Sequence, residues 1–246
     1  MTPRVLLVQQ LQALGLHSGD VVMVHASLRA VGPVEGRANG LLHAILDTIG
    51  PDGTLAMVLG ADPDDPFDAL HTPVDVEDMG WLAEVFRTFP GVRVSDHAAA
   101  RWAARGPLAA ALIDAPPLHD YHGPEGTLQR LVDHRAKVLR LGADPDTLTL
   151  THLVEYHARV PHKRRVRLRY VRADIGEQWI ASLDDTHGIV DAPEYFEEVL
   201  EAFLDAGHAR LGPVGRCTAQ LIDARAFVDF AVPWLENHLG STHPQA

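Results

Sequence analysis

Residues 21–59 read VVMVHASLRAVGPVEGRANGLLHAILDTIGPDGTLAMVL, and the order of patterns within them decides the fold class. Val21-Val22-Met23-Val24-His25 is a short apolar run that follows the turn residues Ser18-Gly19-Asp20, as a buried strand does. Ala26 to Gly40 is rich in small residues and reads as a loop, whereas the apolar spacing from Leu41 to Ile49 suits a helix. Gly50-Pro51-Asp52-Gly53 breaks that helix, because proline offers no amide donor and glycine favours turns. Thr54 to Leu59 is then a second strand. Strand, loop, helix, turn and strand in this order form a parallel crossover unit, which predicts an α/β domain.

Working outward, Val5, Leu6, Val8, Leu11 and Leu14 have the spacing of an amphipathic helix that ends at Gly15. After the crossover, Ala61 to Asp78 is rich in proline and acidic residues and reads as an exposed loop. Helices are expected at Trp81 to Phe89, Thr149 to Ala158, Glu194 to Asp205 and Ala226 to His238, and a strand at Lys137 to Leu141. Val166 to Val171 alternates apolar with basic residues, the pattern of a half-exposed strand, and Gln178 to Leu183 is its expected hairpin partner. No internal repeat or low-complexity linker divides the chain. Residues 1–240 are therefore expected to form one domain and 241–246 a flexible tail.

Apolar residues at 46% and charged residues at 22% match a folded globular chain rather than a disordered one. The N-terminus MTPRVLLVQQLQAL lacks a signal-peptide pattern, and no apolar stretch approaches the roughly 20 residues of a membrane span. Cys217 has no second cysteine to pair with, which fits a reducing compartment, and a cytoplasmic protein without a membrane partner is expected. The formal net charge of −12 repels nucleic-acid phosphates and attracts cations. Charge of this sign also keeps proteins soluble, so it does not identify a partner.

Four segments carry residues with chemistry. His25-Ala26-Ser27-Leu28-Arg29-Ala30-Val31-Gly32 follows the first strand, where small residues let main-chain amides approach a ligand, although neither a dinucleotide nor a Walker glycine pattern is present. Ser95-Asp96-His97 offers two hydrogen-bonding side chains in a loop, without the pattern of a nucleophile elbow. In Gly142 to Glu155 a strand end feeds a loop with Asp144 and Asp146, then a helix that threonines can cap. His152 and Glu155, three apart, share a helical face, so the carboxylate can orient the imidazole as a general base needs. Leu183-Asp184-Asp185-Thr186-His187, with Asp64 and Asp65, supplies carboxylates able to bind ammonium groups. Each segment also has a plain structural reading as loop, cap or solvated turn. The histidines lack the four-residue spacing of a zinc protease, so no metal is expected.

In order and spacing these segments resemble the aminoglycoside 3-N-acetyltransferase family. The resemblance runs from Val5 to Leu235 and rests on Gly19 to Arg29, Gly50 to Leu55, Asp65-Pro66-Phe67-Asp68, Ser95-Asp96-His97, Gly142 to Glu155 and Leu211 to Gly215. It implies a mixed central sheet flanked by helices, and transfer of acetyl from acetyl-coenzyme A to the 3-amino group of an aminoglycoside, with resistance as the outcome. It further implies that Ser27, Leu28, Arg29 and Val31 line the coenzyme A site, with Ser95 and His97 nearby. His152 looks like the general base, assisted by Glu155, and Thr149 is a candidate oxyanion donor. Asp64, Asp65, Asp146, Asp184 and Asp185 are the expected contacts for antibiotic ammonium groups. Ala98 stands where the family commonly has proline, Val94 where it commonly has arginine, and Val58-Leu59 replaces a common Pro-Ser/Thr. An amine-metabolising acetyltransferase and a non-catalytic binder of cations remain alternatives, and a monomer and a homodimer are equally compatible.

Overall fold

The computed structural model describes residues 1–60, 66–186, 188–190, 192 and 195–240. In chain order the elements are α1 (Arg4–Leu14), β1 (Val21–Ala26), α2 (Leu28–Val31), α3 (Arg37–Ile49), β2 (Thr54–Leu59), α4 (Val76–Met79), α5 (Trp81–Arg87), β3 (Arg93–Val94), β4 (Arg101–Arg105), α6 (Ala109–Ile113) and α7 (Thr127–Asp133). They continue with β5 (Lys137–Leu141), α8 (Leu150–His157), β6 (Arg165–Arg172), β7 (Gly176–Leu183), α9 (Tyr195–Asp205), β8 (Arg210–Val214), β9 (Cys217–Asp223) and α10 (Ala224–Leu239).

Among the described residues a 7-stranded sheet has the order β3-β4-β2-β1-β5-β9-β8. β1 pairs parallel with β2, Val21 opposite Thr54, and with β5, Met23 opposite Val138. The crossover read from residues 21–59 is thus present. The outer pairs β2–β4, β3–β4, β5–β9 and β8–β9 are antiparallel, so the sheet is mixed.

Side chains of a strand alternate between faces, and β1 shows what each face meets. Val22 and Val24 join a core with Leu7 and Leu11 of α1, Leu41 and Ile45 of α3, and Phe86 of α5. Val21 and Met23 join the other, with Leu128, Leu153, Phe203 and Phe227 from α7, α8, α9 and α10. A central strand buried on both faces has to be apolar throughout, hence the unbroken run at 21–24. One sheet carries both layers, and the chain builds a single α/β domain.

The sequence reading did not anticipate β3, β4, α6, α7, β8 or β9, and among the regions it did read three details differ. The loop expected over Ala26 to Gly40 contains the short α2, and α3 begins at Arg37 rather than Leu41. The described part of the acidic stretch, from Pro66 onward, is less exposed than its composition suggests: Phe67 and Val74 are buried, and Arg101 donates from β4 to the carbonyls of Gly60, Thr72 and Pro73 at 2.8, 2.6 and 2.9 Å. The third difference is at the start of α8, where Thr149 makes no side-chain cap. The hairpin β6–β7 forms as expected and lies outside the main sheet. Its Arg172 binds Asp96 at 2.8 and 2.9 Å and Asp174 at 2.9 and 3.0 Å, which ties the hairpin to the loop before β4. The expected tail, 241–246, lies outside the described residues.

Candidate active site

The three parallel strands β2, β1 and β5 run in one direction, so their carboxyl ends open on the same side, where α/β sheets place their ligands. A cavity of about 290 Å³ lies there. Val24 to Ala26 line it from β1 with Ser27 just beyond, Met57 and Val58 from β2, and Ala143, Asp144 and Asp146 to Thr149 from the loop after β5. Glu77 and Asp78 of α4, Phe196 of α9 and His152 of α8 complete the wall.

His152 sits in the first turn of α8, and one turn later Glu155 is buried. Burial of a carboxylate is costly without partners, and this one has two. The His152 Nδ1 lies 2.9 Å from Glu155 Oε2, and the Tyr195 hydroxyl donates to Oε1. A side chain on Gly188 would collide with Glu155 Oε1, so glycine there leaves the space the carboxylate occupies. An ionised carboxylate only accepts hydrogen bonds, which assigns the proton of a neutral His152 to Nδ1 and leaves Nε2 as an acceptor.

The loop from Gly142 to Thr149 is shaped from beneath. Gly142 has φ +63°, and a side chain there would run into Ala30. Buried Arg140 donates to Gln220 Oε1 on β9 and to the carbonyls of Ala143 and Asp144. Burial pushes its guanidinium down to about 10, while Asp146 and Asp144 pull it back up, so it stays charged at neutral pH. Opposite Arg140 across the β1–β5 ladder is His25. Its Nε2 is shut off from solvent with no partner among the described residues, and burial, then Arg140, push its pKa down to about 3.

The structure gathers some of the anticipated residues here and puts others elsewhere. Ser27, Asp146, Thr149 and His152 line the cavity, with Glu155 behind His152. Ser27 caps α2 by accepting from the Ala30 amide at 3.3 Å. Leu28 packs against the core, Arg29 is exposed, and Val31 is fully buried with its carbonyl accepting from Arg216. Ser95 accepts from the Trp102 amide at 2.8 Å. His97 is buried, with Nδ1 accepting from the Ala99 and Ala100 amides and Nε2 at 3.1 Å from the Leu118 carbonyl. Burial pushes the His97 pKa down, and both ring nitrogens have partners within the protein.

Asp184 is bonded to Arg164 at 3.1 Å and to the Thr186 amide, and Asp185 accepts from the Tyr121 hydroxyl at 3.1 Å. Neither lines the cavity. Asp64 and Asp65 lie outside the described residues. Among the described residues, the carboxylates that do wall the cavity are Glu77, Asp78, Asp144 and Asp146. Glu77 and Asp78 went unrecognised within a stretch read as plain loop, although Asp75 ahead of them is a helix-capping signal: it accepts from both their amides. Tyr195, Phe196 and His122, which surround the His152–Glu155 pair, gave no local signal. Among the described residues, no three His, Cys, Asp or Glu side chains come together as a metal cage. Nor is any helix among them long and apolar enough to cross a membrane.

Known proteins share both the sequence and this architecture. The family model for aminoglycoside 3-N-acetyltransferase matches residues 23–236. Aminoglycoside N(3)-acetyltransferase III of Serratia marcescens is 36% identical over 94% of this chain and 96% of its own length. Its Pseudomonas aeruginosa namesake is 37% identical over 96% and 94%. Among solved structures, AAC-IIIb in binary form with CoASH superposes with a TM-score of 0.92 at 33% identity over 99% of each chain, and AAC-VIa bound to sisomicin with 0.87 at 32% over 97% and 99%. A matching motif order, a matching mixed sheet and relatives aligned along nearly their whole length all agree: the chain belongs to the aminoglycoside 3-N-acetyltransferase family.

Proposed function

We propose that this chain transfers the acetyl group of acetyl-coenzyme A to the 3-amino group of an aminoglycoside, with both substrates bound together and His152 as general base. The observation that carries the reading is the pairing of His152 Nδ1 with buried Glu155, which leaves Nε2 as the proton acceptor of a side chain on a cavity walled by four carboxylates. An ammonium must lose a proton before its nitrogen can attack. His152 takes that proton, and Glu155 holds the imidazole and stabilises the imidazolium that forms. The new C–N bond forms as the C–S bond breaks; the proton on His152 goes to the departing thiolate, and the second proton, which the nitrogen sheds on becoming an amide, leaves through the freed His152 to water.

The residues fit the two substrates. Val24, Ala26, Met57, Val58 and Phe196 give an apolar wall suited to an acyl-thioester arm, whereas Glu77, Asp78, Asp144 and Asp146 suit ammonium groups and repel phosphates. The coenzyme's phosphates therefore belong away from these carboxylates, on the side of Ser27 and Arg29. The Thr149 hydroxyl makes no helix cap, and we assign it to the developing oxyanion. Acetylation removes a positive charge from the drug, which is the chemical basis for resistance. A reaction that consumes acetyl-coenzyme A belongs in the cytoplasm.

The test is thiol release from acetyl-coenzyme A across a panel of aminoglycosides, followed by location of the acetylated nitrogen. His152→Ala is expected to lower kcat by about 10²- to 10⁴-fold with folding intact. Near wild-type turnover in that variant would remove His152 from the mechanism. Turnover with simple amino sugars and with no aminoglycoside would replace the substrate assignment.

A further inference from the structure

One buried group beside the site has no part in the chemistry above. The ring of His122 lies flat against that of His152, with centroids 4.9 Å apart and planes 6° from parallel. Phe196 meets the His152 ring edge-on at 4.9 Å and 63°. Glu155 holds Nδ1. We propose that His122 is a positioning residue: its flat ring is a fixed wall that keeps His152 in the orientation where Nδ1 meets Glu155 and Nε2 faces substrate. This inference rests on the functional reading above.

The wall is fixed because the loop that carries it is clamped from three elements. The Asp120 carboxylate accepts from the Tyr156 hydroxyl of α8 at 3.0 Å and from Arg165 of β6 at 2.7 and 2.9 Å. Its amide donates to the Ala181 carbonyl of β7 at 2.9 Å, and the Gly123 amide closes back on the Asp120 carbonyl at 2.7 Å. Side chains on Gly123 and Gly126 would strike the Tyr156 ring and the Tyr121 carbonyl, so the turn is packed to the limit of glycine. Tyr121 braces the far side of His122, with ring centroids 4.7 Å apart. Tyr156 belongs to the same helix as His152, so wall and base are referenced to one rigid element.

The Nδ1 side of the imidazole is not what holds it. His122 is buried, and its Nδ1 has no hydrogen-bond partner among the described residues. Burial, with His152 and His97 nearby, pushes its pKa well below the ordinary histidine value, so the ring is neutral. A neutral ring face tolerates the positive charge that His152 acquires in turnover, whereas a second imidazolium would repel it. An aromatic ring without nitrogens should therefore serve.

His122→Ala and His122→Phe distinguish this role from general support of the fold. In His122→Ala, kcat is expected to fall about 10- to 100-fold, with both KM values close to wild type, because a misplaced base costs rate rather than binding. His122→Phe restores most of kcat. Ring ¹⁵N spectra of the full-length protein report the His152 tautomer without any turnover: one Nδ1–H species in wild type and His122→Phe, and an averaged or mixed signal in His122→Ala. An unchanged tautomer and kcat in His122→Ala, or a His122→Phe as impaired as His122→Ala, would overturn the proposal. Absence of turnover in the wild type would instead remove the aminoglycoside reading, and the spectra alone would then decide the positioning claim.

Discussion

His25, His97 and His122 are held neutral by the fold, and that gives the protein a pH dependence separate from catalysis. Burial is the largest cause in each: the pKa of His25 falls to about 3, that of His97 falls despite the Leu118 and Pro117 carbonyls that favour its proton, and that of His122 falls well below the ordinary value. In the unfolded chain all three take up protons near pH 6.5, and in the folded chain they do not. The unfolded state therefore binds more protons below pH 6.5, so the stability these residues support is fully present above that pH and is lost as pH falls toward their folded values. Each contributes a slope of at most about 1.4 kcal/mol per pH unit. The carboxylates with lowered pKa, such as Asp174 beside Arg172, titrate in a lower window. Calorimetry between pH 7.5 and 5 is expected to show a falling Tm, and His122→Phe a shallower fall; a Tm flat over this range would exclude buried neutral histidines. At this scale the sequence made only part of the site legible. His152 and Glu155 were readable because helix periodicity puts residues three apart on one face, whereas Tyr195, at the start of α9, and His122, in a loop, arrive from distant segments that no local pattern links to α8.

Buried arginines connect the elements to the site. Arg101 on β4 bonds four carbonyls, those of Gly60, Ala69, Thr72 and Pro73, and so fixes the stretch that leads into α4 and its cavity-lining Glu77 and Asp78. Arg101→Met would keep much of the packing and leave those carbonyls without their charged donor, at a cost of about 3 kcal/mol or more. Urea denaturation is expected to register that loss, and the KM for aminoglycoside to rise well before kcat changes, since the proposed catalytic pair sits on α8; an unchanged KM would uncouple Arg101 from the acidic wall. The same arginine explains why part of the fold was illegible. A charged residue in RWAAR argues against a central strand, yet Arg101 is fully buried because the folded acidic stretch supplies its acceptors. β8 was hidden for another reason: Gly212 and Pro213 are residue types depleted in strands, and proline is tolerated there because β8 is the last strand of the sheet. The elements that were legible, such as α1, β1, α3, β2, β5, α8 and the β6–β7 hairpin, have clear apolar periods.

For the whole molecule, the net charge of −12 and the four carboxylates of the cavity act at different ranges, and salt separates them. At about 0.1 M ionic strength the Debye length is about 10 Å, so the mean field that draws a polycation toward the protein is screened while contacts inside the cavity survive. An aminoglycoside is expected to lose kcat/KM several-fold as ionic strength rises from about 0.02 to 0.3 M, with kcat nearly constant, because encounter weakens and the bound complex does not. Acetyl-coenzyme A carries the opposite charge, so salt should relieve its repulsion and leave its kcat/KM unchanged or higher. Asp144→Asn with Asp146→Asn removes local charge at the cavity and should raise the aminoglycoside KM even at high salt, where a steering defect would vanish. Initial rates measured over this range for the wild type and the double variant would assign the acidic charge to substrate capture. Equal salt dependence for the two substrates would leave it as a determinant of solubility alone.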